Sequence, residues 1–380
     1  MSHRQLLLLV LIALLSPATL AAAPLHKTPG ATVIVPYFEV DLDAADGRTT
    51  LISVGNVGPP VVARATLWSD WGVPVYAWNI YLGQNALATY NLRDILVFGN
   101  VAPTRAPAGF GGCGDPVATP ALAGAELATL QKRLTGQDLG GDRCDSQPRE
   151  DPTLATGSLT IDTVTGCRNA TSSPFPNEPG YYFSGGIPLA SARQDLWGDF
   201  TLVDPANNFA EGFEAPTLGL AGNPFVPRFG ELSANPEVAR EALSEYPACS
   251  RLRFLQGGPF SARTSFFVYM APPQYNEPSS CDGQSVRTRW SFWIFDEAGQ
   301  AQSTLSMDAG LRRSARIEAG EDLNVGLSAG YIQWITYLSG DWGGIPEPDT
   351  PIQHLLLGAI EASGRFAVGI HGNALGLACH

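Results

Sequence analysis

The stretch Thr49-Thr50-Leu51-Ile52-Ser53-Val54-Gly55-Asn56-Val57-Gly58-Pro59-Pro60-Val61-Val62-Ala63-Arg64-Ala65-Thr66-Leu67-Trp68 decides the fold class. Two runs rich in β-branched and apolar residues flank a Gly-Pro-Pro turn. Proline removes a backbone donor and fixes φ, so neither run extends through the turn, and each reads as a short strand. The same signal continues outward. Thr32–Val40 precedes it across the Asp46-Gly47 turn, and Val75–Leu82 and Leu87–Leu92 follow it. Short strands at spacings of roughly 8–12 residues indicate a sandwich rather than alternating strands and helices. Two segments read as helices. Ala121–Leu134 carries apolar residues at 127, 130 and 134, and Pro236–Tyr246 follows Asn235 with Pro at the first helical position.

Composition agrees. The 380 residues include 41 Gly and 30 Pro, which suits turns and argues against long helices. The 17 Phe, 11 Tyr and 8 Trp supply apolar surface that a disordered chain lacks. No G-X-Y period occurs, so a collagen helix is excluded.

The second half of the chain echoes the first. Thr49–Val54 matches Arg263–Val268, and Val61–Trp68 matches Val286–Phe295. Asn91-Leu92-Arg93-Asp94-Ile95 matches Gly320-Glu321-Asp322-Leu323. Gly157–Ile161 matches Gly330–Trp334, and Asn208–Gly212 matches Gly364–Gly369. Ordered matches of this kind signal an internal repeat. The predicted fold class is therefore all-β: two related immunoglobulin-like β-sandwich modules with loop insertions and minor helices. They span 28–225 and 226–380. The first carries a Gly/Pro-rich insertion over 99–156, and its counterpart is read at Gly340–Pro351. The boundary is read at Ala221–Asn235, where Gly, Pro and Asn cluster.

The stretch Thr49–Ile95 resembles the immunoglobulin-like modules of bacterial exported proteins. In these a Val-x-Asn strand leads to a turn and a later strand ends in Leu-x-Asp-Leu. Leu196-Trp197-Gly198-Asp199 and Val203-Asp204-Pro205-Ala206-Asn207-Asn208 resemble segments of uncharacterised secreted bacterial proteins. The resemblance implies the sandwich fold and no particular activity.

Residues 1–23 have the plan of a secretory signal peptide: Arg4, an apolar run Leu6–Leu15, then small residues through Ala23. The run is shorter than the ~20 residues a membrane-spanning helix needs. The expected location is the periplasm or the outside of the cell, with no membrane insertion after cleavage. Six cysteines follow: Cys113, Cys144, Cys167, Cys249, Cys281 and Cys379. An even count in an exported chain predicts disulfides, with 15 possible connectivities. Loops bracketed by cysteines favour Cys113–Cys144 and Cys249–Cys281, leaving Cys167 with Cys379.

The formal net charge is −13. This disfavours nucleic acid and anionic membranes as partners of the chain as a whole. Gly326-Leu327-Ser328-Ala329-Gly330 matches the G-x-S-x-G elbow, with Asp341 or Asp349 and then His371 downstream. That chemistry needs a strand–turn–helix, and Tyr331–Leu338 reads as a strand. Gly109–Gly114 matches G-x-G-x-x-G, but prolines flank it where a dinucleotide site needs a strand and a helix. Asp41, Asp43 and Asp46, with Glu39, place hard oxygen ligands at one turn and make an irregular Ca²⁺ site a candidate; no other cofactor is expected. The alternative is an acidic hairpin turn. Among the tryptophans, Trp71 and Trp342 lie beside turn glycines and are the candidate ligand-contacting residues.

These readings predict an exported, non-enzymatic structural or adhesive protein whose partners are surface or matrix proteins or glycans. The alternative is a carbohydrate-binding or glycan-active protein.

Overall fold

The computed structural model describes residues 28–120, 122–149, 151–167, 174–176, 178, 181, 189–218, 249–270, 279–281, 287–339, 341–342, 345–346, 350–352, 354–363 and 366–371. The strands of the first module are β1 (Thr32–Asp41), β2 (Thr49–Asn56), β3 (Val61–Ser69), β4 (Pro74–Leu82), β5 (Leu87–Asn91), β6 (Arg143–Cys144), β7 (Leu154–Val164), β8 (Leu196–Asp204), β9 (Phe209–Glu214) and β10 (Thr217–Leu218). Those of the second are β11 (Cys249–Leu255), β12 (Arg263–Tyr269), β13 (Ser279–Ser280), β14 (Arg287–Phe295), β15 (Ala301–Gly310), β16 (Ser314–Glu318), β17 (Ala329–Ser339), β18 (Asp341–Trp342), β19 (Ile345–Pro346), β20 (Thr350–Ile352), β21 (Leu355–Ala362) and β22 (Phe366–His371). Two α-helices are described, α1 (Leu92–Leu96) and α2 (Ala125–Thr135).

The chain is all-β and forms β-sandwich modules. Sheet 1 has the order β10-β1-β7-β3-β4, and sheet 2 packs on it with the order β5-β2-β8-β9. Sheet 3 runs β11-β17-β14-β15, and sheet 4 runs β16-β12-β21-β22. Their pairings are antiparallel. The two modules use one strand order: β1, β7, β3 and β4 correspond to β11, β17, β14 and β15, while β5, β2, β8 and β9 correspond to β16, β12, β21 and β22.

A glycine marks the correspondence at side-chain level. A Cβ on Gly157 of β7 would lie 2.0 Å from the Trp68 carbonyl and 3.1 Å from the Phe38 ring. A Cβ on Gly330 of β17 would lie 2.1 Å from the Phe295 carbonyl and 3.0 Å from the Phe254 ring. Phe38 pairs with Gly157 in register, and Phe254 pairs with Gly330. In each module the missing Cβ leaves room for a phenylalanine from the neighbouring strand.

Local chemistry sets the irregularities. Pro36 sits where the register of β1 slips between Val35 and Phe38, as a residue without a backbone donor must. The Asn91 side chain accepts a hydrogen bond from the Arg93 amide and turns β5 into α1, burying Leu92, Ile95 and Leu96. The strand predicted over Leu87–Leu92 ends one residue earlier, at Asn91, because the Asn cap starts the helix there. Helix α2 overlaps the predicted Ala121–Leu134 segment but begins only after Gly124, at Ala125, and it ends before Gly136, whose φ of 71° is left-handed. The predicted second helix and the predicted boundary at Ala221–Asn235 lie outside the described residues. The counterpart of the 99–156 insertion is Ala319–Ser328, between β16 and β17, rather than Gly340–Pro351, which follows β17.

The modules are not separate globules. Phe266, Val268, Ile317 and Leu356 of sheet 4 face sheet 3 and pack with Trp290, Phe292 and Trp334. Phe267, Tyr269, Leu355, Leu357 and Ala359 of the same sheet belong to the first module's core. Phe267 meets Phe213 edge-on at 5.4 Å and Tyr37 at 5.5 Å. Alternation along β12 and β21 thus gives sheet 4 two buried faces.

Disulfides depart from the expected pairing. Cys113 pairs with Cys167 and Cys144 with Cys281, while Cys249 is also disulfide-bonded. This overturns Cys113–Cys144, Cys249–Cys281 and Cys167–Cys379. The reason is spatial: Cys113 meets the end of β7 through a Cys167 amide bond to Gly111, while β6 pairs with β13 and brings Cys144 to Cys281 across the modules.

Candidate functional site

The sequence-predicted site residues do not converge. Trp71 is 3% exposed and packs with Val73, Cys144 and Leu311, so it is not a surface ligand contact. Its turn is held by Ser69, whose hydroxyl accepts from the Trp71 and Val73 amides. The second module then closes over that turn, because Asp70 accepts backbone hydrogen bonds from Arg313 and Ser314. Trp342 lies in β18, paired with β19, and its side chain lies outside the described residues. Asp41 spends Oδ1 on the amides of Asp43 and Ala44, closing a hairpin turn. Among the described residues no group of three or more His, Cys, Asp or Glu is placed to hold a metal. Ser328 lies just before β17, a strand, which removes the nucleophile-elbow geometry. His371 ends β22 and its side chain lies outside the described residues. Gly109–Gly114 holds a 3₁₀ turn at Phe110–Gly112 that leads to the Cys113 disulfide.

The structure instead assembles two features. The first is a buried charged seam between the modules. Glu39 of β1, 5% exposed, takes ion pairs from Arg316 of β16 at 3.4 Å and Arg48 at 3.7 Å, and Tyr37 donates to it at 3.2 Å. Arg316 also pairs with Glu318 at 2.6 Å, donates to Ser265 and lies over the Phe267 ring. Burial pulls the Arg316 guanidinium down, but Glu39 and Glu318 together outweigh it and hold it above its ordinary value. Burial, helped by Glu39, pushes the Tyr37 phenol up. Beneath this, Arg149 pairs with Asp70 at 2.8 Å.

Glu211 of β9 faces this seam, and its Oε1 has no hydrogen-bond partner among the described residues. Burial pushes its pKa up to about 7, Arg316 opposes the rise, and Glu361 and Glu318 add to it. A folded-state value above the unfolded one favours folding at low pH. Stability contributed here is full below about 4.5, falls as pH rises towards 7, and is lost above it. The full shift corresponds to about 3 kcal/mol. Glu211→Gln is therefore expected to raise the melting temperature at pH 8 and to leave it nearly unchanged at pH 4. Equal melting shifts at both pH values would contradict this assignment.

The second feature is an exposed aromatic on the outward face of sheet 2. Leu87, Gly55 and Trp197 stand in one row across β5, β2 and β8. A Cβ on Gly55 would lie 2.2 Å from the Trp197 indole nitrogen, so the ring lies over the glycine backbone. Trp197 remains 40% exposed and Leu87 56% exposed. The next row on the same face is Thr89, Ser53, Asp199 and Glu214. A flat ring beside hydroxyls and carboxylates can stack on an apolar ring face and hydrogen-bond its edge. In the sequence Trp197 stands out only within Leu196-Trp197-Gly198-Asp199. The signal that finds it is the cross-strand glycine, which needs the register.

No protein-family model matches the chain, and no curated protein matches it.

Proposed function

We propose that this is an exported, non-enzymatic structural or adhesive protein, built by duplication of an immunoglobulin-like module and delivered by the signal peptide at 1–23. The observation that carries the reading is the fusion of the two sandwiches into one body. A core continuous from Phe200 and Phe213 to Phe267 and Leu357 and a disulfide between Cys144 and Cys281 join them. A cross-linked body of this kind holds its surfaces in fixed relation under load. The disulfides fit an oxidising compartment outside the cytosol. The common strand order and the paired glycines Gly157 and Gly330 support duplication.

The test is retention of beads coated with the chain on isolated cell envelopes and matrix, against albumin-coated beads. Retention several-fold above albumin is expected, and retention equal to albumin would refute an adhesive role.

A second reading, carbohydrate binding, is favoured by Trp197 over Gly55. On a glycan array, Trp197→Ala is expected to reduce binding on the order of tenfold, the scale of one lost stacking contact. An array on which wild type binds nothing would remove this reading.

A further inference from the structure

Each module has two outward sheet faces, and three of the four are accounted for. The outward face of sheet 4 is packed into the first module's core. The outward face of sheet 2 carries Trp197. The outward face of sheet 1 is covered by the chain's own loops: Phe110 packs edge-on against Tyr81 at 5.1 Å, and Tyr181 donates to Asp162 at 2.9 Å. Beneath that cover Trp68, Thr66 and Asp162 are 0% exposed and Arg64 is 1% exposed.

Sheet 3 is the counterpart of sheet 1, and its outward face is built differently. With Gly330 at the place of Gly157, Phe295 and Trp293 stand where Trp68 and Thr66 stand in the first module. One part of that cover, the connection over 97–153, is represented in the second module by 319–328. Phe295 and Trp293 are left half-buried, as are Tyr331 and Tyr337. Arginines stand among these rings. Arg253 is exposed and pairs in register with Tyr331, which stacks on Phe295 at 4.7 Å with the planes 9° apart. Arg251 lies 5.8 Å above the Tyr331 ring and donates to Gln333 at 2.9 Å. Arg289 lies 5.3 Å from the Tyr337 ring. Asp308, in register with Arg289, is the only acid among the described strand residues of this face. In a chain of net charge −13, three arginines on one sheet face reverse the local sign.

We propose that the outward face of sheet 3 binds an anionic polysaccharide. The proposal rests on the adhesive reading and names the chemistry of its partner. Ring faces stack on the C–H faces of sugars, and guanidinium groups pair with carboxylates or sulfates. Arg251 and Arg253 are two residues apart on one strand, so their Cα atoms are ~7 Å apart along it, which suits charges repeated along a polymer. Rings under the guanidinium planes hold them in place and lower the entropy lost on binding.

The experiment uses the full chain and three immobilised probes: polygalacturonate, neutral dextran and poly-glutamate. Saturable binding to polygalacturonate is expected, weaker in 300 mM than in 50 mM NaCl because surface charges are screened. The Arg251→Gln/Arg253→Gln double variant is expected to lose on the order of tenfold or more in affinity, with an unchanged melting temperature. Arg105→Gln, an exposed arginine in a loop of the first module, is expected to bind like wild type. Equal binding by the double variant, or preference for dextran, overturns the proposal. Equal affinity for poly-glutamate assigns the face to acidic peptides and overturns it as well. Coated beads that adhere to envelopes while the chain ignores polygalacturonate defeat this proposal alone. Beads that do neither defeat the adhesive reading too.

Discussion

Replacing Gly330 by alanine is expected to destabilise the second sandwich by roughly 3 kcal/mol or more, at the upper end of the overpacking range. The added methyl would sit 2.1 Å from the Phe295 carbonyl, which belongs to the backbone of the adjacent strand. It would also press on the Phe254 ring at 3.0 Å. A flexible side chain could swing away; a carbonyl in a ladder moves only if β14 moves. Gly157→Ala is expected to cost a similar amount in the first sandwich, where the contact is the Trp68 carbonyl at 2.0 Å. Gly326→Ala is the internal control, since nothing lies within 4 Å of its added Cβ. It is expected to be neutral or slightly stabilising, because alanine restricts the unfolded chain. Chemical denaturation of the three variants measures the difference. If Gly330→Ala and Gly326→Ala unfolded alike, the packing of Phe254 on β17 would be wrong.

Arg316→Met is the second large effect. It keeps the length of the side chain and removes the charge that balances Glu39 and Glu318 across the module seam. A buried pair that loses one partner leaves the other charge uncompensated, at about 3–5 kcal/mol when nothing replaces it. Here Arg48 and the Tyr37 hydroxyl still face Glu39, so about 2–3 kcal/mol is expected. For a chain of this size that is a melting temperature lower by roughly 3–4 °C. Arg316 also restrains the rise in the Glu211 pKa, so the pH dependence set by Glu211 is expected to move to higher pH in the variant. Thermal melts between pH 4 and 9 report both effects together. A variant with wild-type melting across that range would show that the seam contributes nothing to the joining of the modules.

Much of the fold was legible residue by residue. Alternation and turn prolines placed β1 to β5 within a residue or so of where they stand. The echo between Gly157 and Gly330 was visible as sequence and turned out to mark equivalent strands with equivalent phenylalanine contacts. Such features are local: a strand's period and a turn's proline act over a few residues. The candidate surfaces were much less legible. Trp71 looked like a surface residue because a turn glycine follows it, and it is buried because the second module closes over that turn. Trp197 and Gly55 are 142 positions apart in the chain and meet only through the β2–β8 register. The cysteine pairing failed for the same reason, since bracketing a loop says nothing about which strands bring two sulfurs together.

The sequence by itself determined the all-β class and the positions of β1 to β5. These follow from backbone and side-chain chemistry that neighbours in the chain already carry. Only the tertiary structure decided that one sheet is buried on both faces, that Glu39 and Glu211 share a seam with Arg316, and that the rings of one arginine–aromatic face are half-buried where its counterpart is fully buried. Burial and pairing across sheets depend on contacts between residues far apart in sequence, and those exist only once the strands have found their partners.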